Sequence, residues 1–147
     1  MNKQILNVVI TLSVICTLSI AGFAGLSRTL EANIPFDFMV NGEKLSAGKY
    51  TVGSAGVRNT LSIRSWKLKQ GAFVLTRDLL VSPDSKPQLI FRRYGNQYFL
   101  AKVISQTGGI ELPKSKAERE AAKAGRDSIV LNDLTPEIVT VSAQVGQ

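Results

Sequence analysis

From residue 34 onward, apolar side chains recur at every second position in short runs, and each run stops at glycine, asparagine, proline or serine. A period of two puts alternate side chains on opposite faces of an extended strand, and such breaks suit tight antiparallel connections. In IPFDFMVNGEKLSAGKYTV, residues 34–52, Ile34, Phe36, Phe38 and Val40 share one face, and Pro35, Asp37 and Met39 share the other. Asn41-Gly42 supplies the positive φ angles of a two-residue hairpin turn. Ala47-Gly48 then breaks the chain again before the next strand.

The same reading predicts strands over 49–54, 60–66, 72–77, 88–94 and 98–105. The clearest hairpin is QLIFRRYGNQYFLAKV, where Gly95-Asn96 can form a two-residue turn with glycine first. That turn pairs Tyr94 with Gln97, Arg93 with Tyr98, Arg92 with Phe99 and Phe91 with Leu100. Both faces then carry large side chains, which places this hairpin near the centre of the sheet.

After Leu112-Pro113 the stretch KSKAEREAAKAGR is rich in helix formers and lacks large apolar side chains. Ser115 and Glu118 have capping-box spacing, and Gly125 can end the helix. Ala117, Ala121 and Ala124 offer only a thin docking stripe, because alanine buries little area. The expected fold is therefore all-β, six to eight short antiparallel strands closed as a small barrel or folded as a sandwich. One short C-terminal helix follows, and a helical N-terminal leader precedes. The β domain spans 33–113 and the helix 114–126, with a tail over 127–147 that can add an edge strand or stay apart.

Residues 5–21 are apolar except for Asn7 and small hydroxyl residues, and Lys3 is the only charge before Arg28. That is the layout of a secretory signal peptide, with cleavage expected after Ala24 or, in preference, after Ala32, which puts the new terminus directly before the first predicted strand. An uncleaved leader would be the chain's one membrane contact. Cys16 falls within this run, so a cleaved chain has neither disulfide nor thiol nucleophile. The formal charge of the whole sequence is +7. Loss of residues 1–32 removes Lys3, Arg28 and Glu31 and leaves an excess of basic residues, which favours anionic partners at long range. An exported protein would meet such partners as an anionic envelope component or polysaccharide.

The sequence contains no histidine, which removes the commonest general base and every Ser-His-Asp or Cys-His mechanism. No cofactor fingerprint, P-loop or EF-hand loop is present, and no metal or cofactor is expected. Carboxylates remain: Asp37 and Glu43 around the first turn, Asp78 and Asp84 in a later loop, and Glu111. Acids beside turns are usually solvated or turn-stabilising, so a polysaccharide hydrolase is the least favoured reading. Asp37, on the strand face opposite Phe36 and Phe38, is expected in a structural ion pair with Arg92 or Arg64.

Two clusters combine cations with aromatic rings: Arg64 and Trp66 with Lys67 and Lys69, and Arg92, Arg93 and Tyr94 with Tyr98. Aromatic platforms beside cations can hold sugars or phosphates. Strand aromatics more commonly pack inward, so Trp66 and Tyr98 are expected in the core, with the arginines on a solvated face. No recognised nucleic-acid module accompanies the charge, and specific nucleic-acid binding is not expected.

The segments PFDF with AGKY, FRRYGNQYFL and ELPKSKAERE, together with the leader, resemble a family of small uncharacterised exported β-rich proteins of environmental bacteria. The resemblance covers roughly residues 33–120. It implies one exported domain and assigns no catalytic residue. The function expected from all of this is a noncatalytic exported binding or structural module of the cell envelope. The alternative is a β-barrel that carries a small apolar ligand.

Overall fold

The structure is a computed structural model that describes residues 29–127 and 135–146. The leader lies almost wholly outside these residues. Eleven strands are described, more than the six to eight expected: β1 (Leu30–Ile34), β2 (Phe38–Val40), β3 (Glu43–Leu45), β4 (Gly48–Ser54), β5 (Thr60–Ser65), β6 (Gln70–Leu75), β7 (Arg77–Leu79), β8 (Gln88–Tyr94), β9 (Gln97–Ser105), β10 (Gly108–Glu111) and β11 (Glu137–Val145). One helix, α1 (Lys116–Asp127), follows β10. The excess has two sources: β3 and β10 are short strands in stretches read as connections, and other runs are interrupted. Residues 35–37 bend the first run into β1 and β2, and β7 follows β6 after Thr76.

The strands form one sheet in the order β3-β2-β9-β8-β11-β1-β4-β5-β6, with β10 beside β9 and β7 beside β10. Pairing is antiparallel throughout except for a single parallel bridge between Met39 and Phe99. The sheet curls into a nearly closed barrel, in which β3 and β6 approach each other. Side chains bridge that seam. Gln70 at the start of β6 accepts from the Ser46 N–H at 3.0 Å, and the Tyr50 hydroxyl donates to the Ser46 carbonyl at 2.7 Å.

The turns follow the sequence closely. Asn41 and Gly42 have φ of 50° and 87°, as a two-residue turn with both central residues left-handed requires. In the β8–β9 hairpin Gly95 has φ of 57°, and all four expected pairs, from Tyr94–Gln97 to Phe91–Leu100, are present. Beyond them Ile90 faces Lys102, so Ala101 is an extra residue. Such a bulge bends and twists the strand, which helps a sheet to close.

Two terminal segments depart from expectation. β11 comes from the tail, yet it is not an edge strand: it pairs with β8 on one side and β1 on the other. β1 starts at Leu30, before the expected boundary at residue 33, and Leu30 and Ala32 are buried. The two segments left outside the β domain therefore meet at the middle of the strand order, with Ala32 opposite Ala143.

Inward side chains fill the barrel. Phe38 stands edge-on to Tyr50 at 5.1 Å and to Phe91 at 5.5 Å, and all three are fully buried. Leu30, Val52, Ile63 and Leu89 surround them in the same core. Edge-to-face rings satisfy their quadrupoles while removing a large apolar area from water.

Candidate functional site

The two cation–aromatic clusters lie in different parts of the barrel and have opposite environments. In β8, Phe91 points inward, so Arg92 and Tyr94 point outward, and Phe99 of β9 faces Arg92. α1 docks over this patch through Glu118. The carboxylate is 2% exposed and accepts from Arg92 Nε at 2.6 Å and from the Tyr94 hydroxyl at 3.3 Å. Glu111 adds a longer contact to Arg92 at 3.9 Å. Burial, and then the Glu118 charge, push the Tyr94 phenol above its ordinary pKa.

The capping box is half formed: Ser115 Oγ accepts the Glu118 N–H at 3.1 Å, but the Glu118 carboxylate turns to the sheet. The helix is thus anchored by a buried ion pair rather than loosely by its alanines.

Arg93 and Tyr98, one position along, lie at one end of the barrel. Tyr98 stacks on Phe36 at 4.0 Å, and the Arg93 guanidinium lies 5.3 Å from the Tyr98 ring. Arg93 is also tied to Glu137 of β11 at 3.0 Å and to the Gly95 carbonyl. Arg92 and Arg93 therefore spend their polar groups on the fold itself, and Tyr98, partly buried at the edge of the core rather than within it, spends its ring there.

The Arg64 cluster is different. Leu61, Ile63 and Ser65 of β5 point inward, so Ser62, Arg64 and then Trp66 point outward. Trp66 is 74% exposed, not in the core as expected. The reason is its place in the alternation, one residue past the inward Ser65 and at the start of the turn to β6. The Arg64 guanidinium lies over the Trp66 ring at 4.9 Å. Phe73 of β6 sits opposite Ser62 and is 59% exposed.

Gly71 lies opposite Arg64, where an added Cβ would come within 2.8 Å of the Ile63 carbonyl, so the sheet surface stays low between Trp66 and Phe73. Next to them a groove of about 320 Å³ runs over Thr51, Ser54 and Ser62. It brings together an indole, a phenyl ring, a guanidinium and a row of hydroxyls. Phe73 was not singled out from the sequence. The signal was available in its alternation with Ala72 and Val74, both buried.

Asp37 occupies the bend between β1 and β2 and is ion-paired, but with neither Arg92 nor Arg64. It accepts from the Ala47 N–H at 3.0 Å and pairs with Lys44 Nζ at 3.2 Å. The Ala47 N–H and then Lys44 hold its carboxyl below the ordinary aspartate pKa. Asp37 shares a recess with Asn96, Gln97 and Tyr98, and the β2–β3 hairpin brings Lys44 to it.

Asp78 and Glu111 do not converge on one face. Asp78 lies opposite Ile110 in the β7–β10 ladder, and Glu111 is the next residue, so their side chains take opposite faces. Among the described residues no group of three or more Asp, Glu, Cys or His could hold a metal ion, and no helix is long and apolar enough to cross a membrane.

No protein-family model, curated protein or solved structure matches this chain.

Proposed function

We propose that the protein is a noncatalytic, exported binding module whose outer β4–β6 face takes an acidic polysaccharide of the bacterial envelope. The observation that carries this reading is the bare Trp66 ring under the Arg64 guanidinium, beside Phe73. A sugar ring presents apolar C–H groups on its face, which pack on an indole, and hydroxyls at its edge, which suit Thr51, Ser54 and Ser62. A guanidinium is the cation best shaped to hold a carboxylate or sulfate through paired hydrogen bonds. The excess of basic residues, +7 over the whole sequence and one less without Lys3 of the leader, adds long-range attraction for a polyanion.

Export rests on the leader-like run of residues 5–21. Cleavage after Ala24 leaves β1 whole, whereas cleavage after Ala32 would cut it between paired residues. Mass spectrometry of the secreted form should therefore give a chain that starts at Gly25; a start at Asn33 would contradict this site.

The binding reading is tested by retention on an immobilised polyuronate, with a neutral glucan as control. Retention should fall steeply as salt rises and should be lost in Arg64→Ala and in Trp66→Ala. Retention that ignores salt, or survives both substitutions, would overturn the reading.

A further inference from the structure

The far end of the barrel from Tyr98 holds a second recess. Its floor is the end of the core: Leu30, Val52, Leu61 and Val103, each no more than 5% exposed, where the inward faces of β1, β4, β5 and β9 stop. Its rim is polar and comes from other elements. Asn59 precedes β5 with φ of 56°, and its carbonyl accepts from the Thr76 N–H at 2.8 Å, which draws the β6–β7 junction over the opening. Ser105 donates to the Gly108 carbonyl at 2.8 Å and holds the β9–β10 turn on the other side. The recess measures about 330 Å³, at the lower end of the range of small-ligand sites.

Its electrostatics run against the rest of the molecule. The sequence has a formal charge of +7, and the other three recesses described each include a lysine or arginine. Among the described residues that line this one, Asp78 is the only charged side chain. The middle of the barrel is filled by Phe38, Tyr50 and Phe91, so a guest can enter only as far as this mouth.

We infer that the mouth is a binding site for a small cationic amphiphile, with its aryl or alkyl body on the Leu30–Val103 floor and its ammonium group at Asp78. The floor supplies burial of apolar surface, and the rim supplies orientation. Asp78 selects the sign of the charge. The site is centred away from the Trp66 ring: Trp66 lies past the opposite end of β5 from Thr60, six residues of strand span about 20 Å, and the two recesses share only Gly53 and Ser54 at their border. It therefore stands or falls independently of polysaccharide binding.

Calorimetric titration of the full-length protein with a matched pair of probes, 2-naphthylmethylamine and 2-naphthoate, tests the inference. The amine should bind with one-to-one saturation and about tenfold more tightly than the carboxylate, since reversing one charge near a solvated partner changes about 1–2 kcal/mol. Asp78→Lys should reverse that preference. Thr107→Trp, at an exposed rim position, should block both probes without touching the core.

Absence of saturable amine binding would overturn the inference. So would equal affinity for the two probes, or amine binding unchanged in both variants. A melting curve for each variant separates loss of the site from loss of the fold.

Discussion

Two patches of this barrel share a recipe and differ in outcome. Both place an arginine and an aromatic residue on the outer face of a β-hairpin, Arg92 with Tyr94 on β8 and Arg64 with Trp66 on β5 and its turn. Over the first lies α1, and Glu118 ties both residues down from a buried position. Over the second lies nothing among the described residues, and the guanidinium has only the indole beneath it. Residue type therefore does not decide whether such a pair is tied into the fold or left bare. What decides is whether another element supplies the counter-charge.

The largest expected effect concerns β11, which joins the two regions by pairing with β8 and β1. Deletion of residues 135–147 removes an interior strand and leaves two unpaired edges inside the barrel. Cooperative thermal unfolding should be lost, as followed by circular dichroism. A truncated chain that still melts in one sharp transition would show that the two regions fold without their link.

Next comes the covered patch. Glu118→Ala leaves Arg92, with its side chain 12% exposed, short of its principal partner, and loss of one member of a buried pair costs about 3–5 kcal/mol. Replacement of both, as Arg92→Leu with Glu118→Leu, should recover most of that loss in urea denaturation, because apolar substitutes need no partner. If the single change costs less than about 1 kcal/mol, the helix does not anchor on this pair.

Tyr94→Phe sharpens the same point on a smaller scale, with an expected loss of about 1 kcal/mol for one hydrogen bond. It should also alter the alkaline limb. The folded protein holds the Tyr94 proton more tightly than the unfolded chain, so this contribution is complete below about pH 10 and fades as pH rises through the raised pKa. Tyr50, raised chiefly by burial, acts with the same sign, so the substitution should shallow the alkaline loss without abolishing it.

Asp37 has the opposite sign. Its carboxyl is held low in the folded state, so its contribution is present above the unfolded aspartate pKa and is lost as pH falls through the lower folded value. Asp37→Asn should therefore shallow the loss of stability below about pH 4, and by a small amount because the pair is exposed.

The bare patch should show the smallest effect on stability. Arg64→Ala and Trp66→Ala each remove exposed atoms and should shift unfolding by no more than about 0.5 kcal/mol. A large loss from either would place that face among the structural elements and end the contrast.

Much of this was legible in the sequence where the determinants are local. The β8–β9 register followed from Gly95-Asn96 and the alternation around it. The helix followed from Ser115 and its composition. Long-range pairing was not legible. β1 finds β11 more than a hundred residues away, and EIVTVSAQV reads as a strand without any sign that it lies between two others.

Glu118 had a sufficient local explanation as a cap, which concealed its pairing with Arg92. Trp66 was open to a correct reading: Leu61 and Ile63 inward put Ser65 inward and Trp66 out. Only the general preference of aromatic residues for cores pointed the other way, and it lost to strict alternation.

Trp66 is the sole tryptophan in the sequence, so its emission reports directly on the bare patch. Titration with an oligouronate should shift that emission to shorter wavelength along a saturable curve. The shift should vanish near 1 M salt, where the screening length is about 3 Å. If the oligouronate binds by calorimetry while Trp66 emission stays unchanged, or does not bind at all, the contrast between a structural and a recognising arginine–aromatic pair is contradicted.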